Sequence, residues 1–175
     1  RRGLRLHSLI EGGGQERGKR AGTENFPAIA GMAAALETAM STMETDMERV
    51  AAMRQRLLEG LSRIPHSRIN GGGDCAPGIL NLSFEGVEGE SLLLLLDGAG
   101  ICASSGSACA SGSLEPMGLP TEIARGSLRL SIDGWNTEQE IDTLLTVIPQ
   151  VVQRLRSMNA HYRACENGES SFLLK

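Results

Sequence analysis

Apolar and polar residues alternate in several short stretches of the chain, which is the pattern of β-strands that bury one face. The strictest alternation covers residues 127–132, with three aliphatic residues on one face and Arg129 on the other. Weaker strand patterns occur at 67–70, 78–85 and 101–104, and residues 1–10 predict a short strand or an extended lead-in. The sequence therefore predicts a small sheet formed by strands between residues 67 and 132.

A long helical pattern precedes this sheet. Pro27 suits the first helical turn, and the pattern continues to about Leu61, with a bend or break expected at residues 41–42. Five methionines at near-helical spacing are predicted to fill a core rather than to form a cofactor site: Met32, Met40, Met43, Met47 and Met53.

Two further helices are predicted nearer the C-terminus. Residues 90–97 form a short apolar helix, and residues 137–140 form a capping box that opens a long amphipathic helix. Beyond Asn159 the tail is polar and patternless, and it is expected to fray. Strands and helices together predict a small α/β layer structure, with one sheet face covered by helices.

Composition and charge exclude several classes of function. The 175 residues are 41% hydrophobic, which is enough for a core, and the net charge of −4 with 3% aromatic residues predicts no nucleic-acid partner. The longest apolar run, Leu92 to Leu96, is too short to span a bilayer, and no signal peptide is visible, so no membrane partner is expected. The chain begins without methionine and is expected to be a piece of something longer.

Four cysteines, Cys75, Cys102, Cys109 and Cys165, fit neither a zinc pattern nor a disulfide framework, which favours reduced thiols in a cytoplasm. Cys109 lies in a run of glycine, serine and alanine from 104 to 113, which predicts a mobile loop that presents a thiol. A small-residue linker with an incidental thiol is the alternative. Cys102 is predicted to be buried on the strand that enters this loop.

A second glycine-rich segment, residues 11–25, favours close approach of the backbone to a ligand or to another chain. It comes close to a nucleotide phosphate loop, with Gly13, four residues, Gly18 and Lys19. The next residue should be a serine or threonine that holds magnesium, and it is Arg20. The nucleotide-binding alternative is therefore disfavoured.

The cysteine loop resembles the active-site loop of the cysteine desulfurases, the NifS/IscS-like enzymes of the class V aminotransferase group. Their pattern is a strand, Ser-Ser-Gly-Ser-Ala-Cys and a Ser/Gly/Leu-Glu-Pro exit, which this chain has from Ile101 to Pro116. Residues 11–25 resemble the family's Gly-Gly-Gln-Glu…Arg-x-Gly-Thr element, and residues 127–131 its Ser-x-Arg-x-Ser pattern. The resemblance runs from residue 1 to about residue 156 and matches only the C-terminal part of the family pattern.

The resemblance implies a reaction that depends on pyridoxal 5'-phosphate. In the family, the cofactor weakens the carbon–sulfur bond of L-cysteine, a protein thiolate takes the sulfur as a persulfide, and alanine leaves. It implies that Cys109 is this thiol, that Arg129 clamps the substrate carboxylate, and that Thr23 reaches the cofactor phosphate of the other subunit of a homodimer. It also implies an iron–sulfur scaffold protein as sulfur acceptor, iron–sulfur or nitrogenase cluster assembly, and Cys109 as a transient iron–sulfur ligand.

The resemblance also implies the fold and its domains. The expected class is α/β: the C-terminal small domain of a pyridoxal-phosphate-dependent transferase fold, a small sheet covered by helices, preceded by the tail of the large cofactor domain. Residues 1–26 would end the large domain, 27–63 form a connecting helix, 64–159 form the small domain that carries the cysteine loop, and 160–175 form a frayed tail.

Two features depart from the family pattern. The cofactor-bearing half is absent, and neither Lys19 nor Lys175 matches its Schiff-base lysine, so this chain alone is expected to be inactive. Residues 117–120 also follow Pro116 directly, where the family has a short apolar helix, so about one and a half helical turns are missing. That helix helps to anchor the exit of the loop.

Two other functions stay open beside the desulfurase. One is a selenocysteine lyase or another class V pyridoxal enzyme. The other is a non-catalytic sulfur-relay or dimerisation module, in which Cys109 only accepts persulfide from a donor.

Overall fold

The computed structural model describes residues 3–4, 7–72, 75–106 and 118–174. The chain divides into two compact units, residues 1–43 and 44–175, and the division falls inside a long helix. Each unit is described by itself below.

The first unit holds the glycine-rich segment and the start of the long helix. Helix α1 is a four-residue turn, Gln15–Gly18, in which Glu16 and Arg17 have left-handed backbone angles. The side-chain oxygen of Gln15 accepts a hydrogen bond from the Gly22 backbone N–H at 3.2 Å. Among residues 3–4 and 7–10 there is no strand, so of the two alternatives for the start of the chain, a strand or an extended lead-in, the strand is not seen in the described part.

Helix α2 is continuous from Phe26 to Leu61, so the break that the sequence offered as one alternative at residues 41–42 is absent. The hydroxyl of Ser41 donates to the carbonyl of Thr38 at 2.7 Å, and that of Thr38 donates to the carbonyl of Ala34 at 3.0 Å. Because these hydroxyls bond to carbonyls of their own helix, polar side chains are accommodated without a break.

The methionine prediction was wrong for four of the five residues. Met53 is fully buried, but Met32 is 70% exposed, and Met40, Met43 and Met47 are also exposed. Within the first unit, one face of α2 carries five exposed apolar side chains at spacings of three and four residues, which we call the apolar stripe. Its members are Ile29, Met32, Leu36, Met40 and Met43.

The second unit is built on a three-stranded antiparallel sheet of order β1-β2-β3. The strands are β1 Ser67–Ile69, β2 Ile79–Phe84 and β3 Ser127–Ser131. In the register, Leu82 of β2 lies opposite both Ile69 of β1 and Leu128 of β3, so the aliphatic side chains share one face. This confirms the alternation that the sequence predicted for β3.

Among the described residues that follow β2, four helices accompany this sheet. They are α3 Gly89–Asp97, α4 Thr121–Arg125, α5 Glu138–Met158 and α6 Ala160–Glu166. The C-terminal half of α2, helix α3 and helix α5 supply the side chains that cover the aliphatic face of the sheet. The fully buried residues include Met53, Leu57, Leu61, Leu82, Phe84, Leu92, Leu96, Leu128, Ile141 and Ile148. The expected small sheet covered by helices is therefore confirmed.

The C-terminal tail differs from the expected frayed segment. Residues 160–166 form helix α6, whose start is capped by Asn159 through a hydrogen bond from the Tyr162 backbone N–H at 2.9 Å. Tyr162 and Cys165 are buried, and the Arg156 guanidinium lies 4.5 Å from the centre of the Tyr162 ring. The segment is also held by a distant contact, the hydrogen bond that the Asn159 amide donates to the Gly86 carbonyl at 3.1 Å, which the local sequence pattern does not show.

Two helix N-termini are capped in a way that depends on pH. The Glu88 carboxylate caps α3, and the hydrogen bond from the Ser91 backbone N–H is the main cause that lowers the pKa of Glu88. Thr137 and Glu140 form the predicted capping box of α5, and the bond from the Thr137 backbone N–H is the main cause that lowers the pKa of Glu140. Both carboxylates must be charged to accept these bonds fully.

We expect these caps to weaken in acid. A carboxyl whose pKa is lowered by folding stabilises the folded state above its unfolded pKa, and this contribution is lost as the pH falls through the folded pKa. The free energy of unfolding, measured with urea from pH 6 to pH 3, should therefore fall less steeply for Glu88→Gln and Glu140→Gln than for the parent chain. Glu48→Gln, at an exposed site on α2, is the control. Equal slopes for all four proteins would contradict the prediction.

Candidate active site

Arg129 lies at the middle of β3 with an exposed side chain on the sheet face opposite the core. Its backbone makes two hydrogen bonds with Ser104: the Arg129 N–H donates to the Ser104 carbonyl at 2.6 Å, and the Ser104 N–H donates back at 3.1 Å. This isolated antiparallel bridge is the only pairing of residues 101–104 with β3 in the part of the chain that the structure describes. The root of the cysteine loop is thus fixed to the backbone of Arg129.

A polar layer covers the same face of the sheet. The hydroxyls of Ser83 and Ser127 are 2.8 Å apart, and both side chains are fully buried. The Asn70 amide donates at 2.8 Å to the Asn81 side-chain oxygen and at 2.8 Å to the Ser83 hydroxyl. Ser127 belongs to the Ser-x-Arg-x-Ser pattern, but nothing in the sequence had pointed to Asn70, Asn81 and Ser83, although the polar positions of β2 alternate with its aliphatic ones.

Ser127 connects this polar layer to helix α4. Its hydroxyl donates to the Ala124 carbonyl at 2.7 Å, which ties the start of β3 to the last turn of the helix. The Asn70 side-chain oxygen is buried and has no hydrogen-bond partner among the described residues. The polar layer is therefore a nearly complete hydrogen-bonded network under the loop.

The loop backbone lies directly against this layer at Gly106. A methyl group built on Gly106 would come within 2.8 Å of the Asn81 side-chain nitrogen and 3.3 Å of the Ser127 Cβ. Only glycine fits this approach without displacement of the amide. The lack of a side chain at Gly106 therefore allows the loop backbone to pack against Asn81 and Ser127.

Cys109 lies outside the described residues, as does the rest of the segment 107–117. Its assignment as the sulfur-accepting thiol and as a transient iron–sulfur ligand stays a prediction. The shortened exit after Pro116 also falls in this segment up to Met117, and the description resumes at Gly118, just before α4.

Thr23 lies in the first unit, with an exposed side chain in the glycine-rich segment that precedes α2. Its neighbour Gly22 has a φ of +100°, and the Arg20 guanidinium donates to the Ala21 carbonyl at 3.0 Å. Thr23 and Arg129 therefore belong to different units, and the role of Thr23 stays a prediction.

Cys102 was predicted to be buried and is exposed. Residues 101–103 are not paired with the sheet, so no neighbouring strand covers this side chain. Cys102 instead lines an open cavity of about 320 Å³ between the segment before the loop, the end of β3 and the start of α5. Of the other described cysteines, Cys75 is exposed and Cys165 is buried.

The described residues include one lysine and no metal-binding cluster. Of the two lysines in the chain, Lys19 is exposed at the end of α1 and Lys175 lies outside the described residues. The same part of the chain contains no cluster of three or more histidine, cysteine, aspartate or glutamate residues that could hold a metal ion. No helix that is described has the length and apolar character needed to cross a membrane.

Residues 9–144 match the aminotransferase class-V family, and the chain therefore belongs to that family. Its relatives are cysteine desulfurases. The chain is 48% identical over 167 residues to the cysteine desulfurase IscS of Clostridium botulinum strain Hall, covering 90% of this chain and 42% of the relative. It is 44% identical over 180 residues to a cysteine desulfurase of Gluconacetobacter diazotrophicus, covering 98% of this chain and 45% of that protein.

Solved structures of NifS-like proteins have the same fold as this chain. A NifS-like protein superimposes with a TM-score of 0.76 at 35% identity, over 88% of this chain and 41% of that structure. The NifS-like protein of Rickettsia africae gives a TM-score of 0.76 at 26% identity, over 86% and 41% of the two chains. These comparisons confirm the resemblance to the NifS/IscS-like enzymes. The chain spans about two fifths of the length of the curated relatives that it matches.

Proposed function

We propose that this chain is the C-terminal part of a cysteine desulfurase that forms a persulfide on Cys109 and releases L-alanine, for iron–sulfur or nitrogenase cluster assembly in the cytoplasm. One observation carries the proposal: the backbone bridge between Ser104 and Arg129. It joins the root of the cysteine loop to the residue that would bind the substrate carboxylate. The chain segment that leads to Cys109 is therefore attached to the sheet at Arg129, the proposed carboxylate-binding residue.

Arg129 is suited to hold the carboxylate of L-cysteine. Its guanidinium is exposed, and no described side chain forms an ion pair or hydrogen bond with it, so its donors are available to a ligand. A guanidinium binds a carboxylate through two parallel hydrogen bonds, which fixes the orientation of the bound amino acid as well as its position. The side chain of L-cysteine would then point in one direction relative to the loop.

Cys109 would act as the nucleophile toward the sulfur of the bound substrate. Its thiolate attacks that sulfur, a sulfur–sulfur bond forms, and the carbon–sulfur bond breaks with its electron pair left on the substrate carbon. A proton delivered to that carbon gives L-alanine, so the reaction needs no external oxidant or reductant. Pyridoxal phosphate, bound by the rest of the intact enzyme, supplies the electron-accepting ring that weakens the carbon–sulfur bond.

The chain is proposed to work only with its missing counterpart. By the resemblance, neither Lys19 nor Lys175 takes the place of the Schiff-base lysine. The apolar stripe of α2 is also exposed in the first unit. Exposed apolar stripes of this kind are found where another protein segment packs. Thr23 is proposed to reach the cofactor phosphate of the second subunit in a homodimer, and an iron–sulfur scaffold protein would accept the sulfur from Cys109.

The test is mass spectrometry of the chain after incubation with L-cysteine and pyridoxal phosphate. One sample contains this chain alone, and the other contains a separately produced N-terminal part of a related cysteine desulfurase. We expect a sulfur adduct on Cys109, and stoichiometric alanine, only in the second sample. Cys109→Ser should lose the adduct, whereas Cys75→Ser, which removes another exposed thiol, should keep it.

Two results would overturn the proposal in different ways. Alanine and a Schiff-base absorption band from this chain alone would show that no counterpart is needed. An adduct on Cys109 from an external persulfide donor, with none from L-cysteine in either sample, would support the sulfur-relay function instead.

A further inference from the structure

The C-terminal residues 172–174, which we call the tail segment, are bound by a buried carboxylate. Glu85 follows β2, and only 4% of its surface is exposed. Its two carboxylate oxygens accept hydrogen bonds from the backbone N–H groups of Leu173 and Leu174, each at 2.7 Å. A buried carboxylate is stable only when it is paired or hydrogen-bonded, so the tail satisfies a group that would otherwise be costly to bury.

His66 binds the tail segment from a second side. Its Nδ1 lies 2.6 Å from the Leu174 carbonyl oxygen, so this ring nitrogen donates to the carbonyl. The ring also stacks on Phe172 with 3.6 Å between ring centres and 13° between ring planes. Phe172 in turn contacts the Tyr162 ring edge to face, with centres 5.1 Å apart. Three consecutive tail residues are therefore held by specific contacts.

The third contact joins the tail segment to the exit of the cysteine loop. Leu174 packs on Leu119, Ile123 and Ala124, which form a small apolar cluster distinct from the main core. Helix α4 has only five residues and no side-chain cap at its start. A helix of this length is not stable by itself, so it depends on tertiary packing for its position.

We infer that the tail segment is a positioning element for the cysteine loop, because it holds α4, the first helix after Cys109 that the structure describes. Glu85 and His66 bind the tail segment, and the Leu174 side chain packs against the small apolar cluster that includes Ile123 and Ala124 of α4. The relevance to sulfur transfer rests on the proposed function, but the anchoring itself does not.

The first test compares Leu174→Asp with Leu173→Asp in the full chain. These neighbours are matched in size and polarity, but Leu173 is 52% exposed and Leu174 packs on the cluster. Hydrogen exchange is followed at the α4 amides of Ile123 and Ala124, which bond to the Pro120 carbonyl. We expect exchange at least about tenfold faster in Leu174→Asp, with little change in Leu173→Asp and none in α5.

A second variant distinguishes a local effect on α4 from a general loss of folding. Removal of residues 172–175 introduces no charge into the cluster, and it should reproduce the faster exchange of α4 while α5 stays protected. Unchanged exchange in both Leu174→Asp and the truncated chain would overturn the inference. Equal acceleration in Leu173→Asp and Leu174→Asp would also overturn it, because the specific packing of Leu174 would then not matter.

The loop itself is tested by the rate at which iodoacetamide alkylates Cys109, read peptide by peptide. We expect Leu174→Asp to change this rate by at least about threefold relative to Leu173→Asp, with Cys75 as an internal control of thiol reactivity. An unchanged Cys109 rate would overturn the positioning role. Neither measurement needs desulfurase activity, so their failure is distinguishable from the failure of the proposed function.

Discussion

Arg129→Ala is expected to lower kcat/KM for L-cysteine by about 100-fold when the chain is assembled with an N-terminal counterpart. By the proposed role, the substitution removes both hydrogen bonds to the substrate carboxylate, and about 2.7 kcal/mol of transition-state stabilisation corresponds to this factor. The loss should appear mainly as a higher KM, because the carboxylate is bound before and during the reaction. Alanine production at varied L-cysteine concentration measures both constants.

The chain offers a matched control for Arg129. Arg68 is also an exposed arginine on the same sheet face, since it lies opposite Ser83 in the register, but it belongs to the far strand β1. Arg68→Ala should leave kcat/KM within about twofold. Arg129→Lys should recover only part of the activity, because an ammonium group cannot form the two parallel bonds of a guanidinium. A kcat/KM for Arg129→Ala within threefold of the parent value would refute the assignment.

Gly126→Ala is expected to be the most destabilising single substitution among those proposed here. A Cβ at Gly126 would lie 2.3 Å from the Phe84 carbonyl oxygen and 2.9 Å from the Val87 carbonyl oxygen. These are backbone atoms at the end of β2 and in the turn that follows, so they cannot move aside as a flexible side chain would. The strain should reduce the free energy of unfolding by about 3 kcal/mol.

Urea unfolding of Gly126→Ala and Gly98→Ala separates this strain from a general effect of glycine replacement. Gly98 caps α3 with helical backbone angles, and a Cβ there would meet only ordinary contacts at 3.6 Å. Gly98→Ala should therefore be neutral or slightly stabilising, since it restricts the unfolded chain. Similar unfolding midpoints for the two variants would show that the Gly126 site can relax.

The elements that the sequence predicted well depend on short-range patterns. Strand β3 follows from strict alternation, and the capping box at Thr137 follows from two residues three positions apart. Both signals lie within a few residues of the structure that they specify. The long helix α2 was also predicted, but the break suggested at residues 41–42 is absent. The sequence was misleading there because serine and threonine hydroxyls that bond within a helix resemble helix-breaking residues.

The features that the sequence did not reveal depend on contacts between distant residues. Glu85 and Leu174 are 89 positions apart, and nothing in the local pattern of either shows that one binds the other. The prediction that the methionines of α2 are buried was wrong for a related reason. Periodicity reveals which residues share a face of a helix, but not whether another part of the protein covers that face. The prediction that Cys102 is buried was wrong because a short apolar sequence does not reveal whether the segment pairs with a sheet.

The bridge at Ser104 sets a limit on how far sulfur can travel. Five peptide units separate Ser104 from Cys109, and a fully extended chain gains about 3.4 Å per residue, so the Cα atom of Cys109 lies at most about 17 Å from that of Ser104, and its thiol roughly 3 Å further. If Cys109 carries sulfur as proposed, both the donor molecule and the receiving thiol of an acceptor protein must come within that radius. By the proposed function, an acceptor would therefore have to bring its nucleophile within this distance of Ser104.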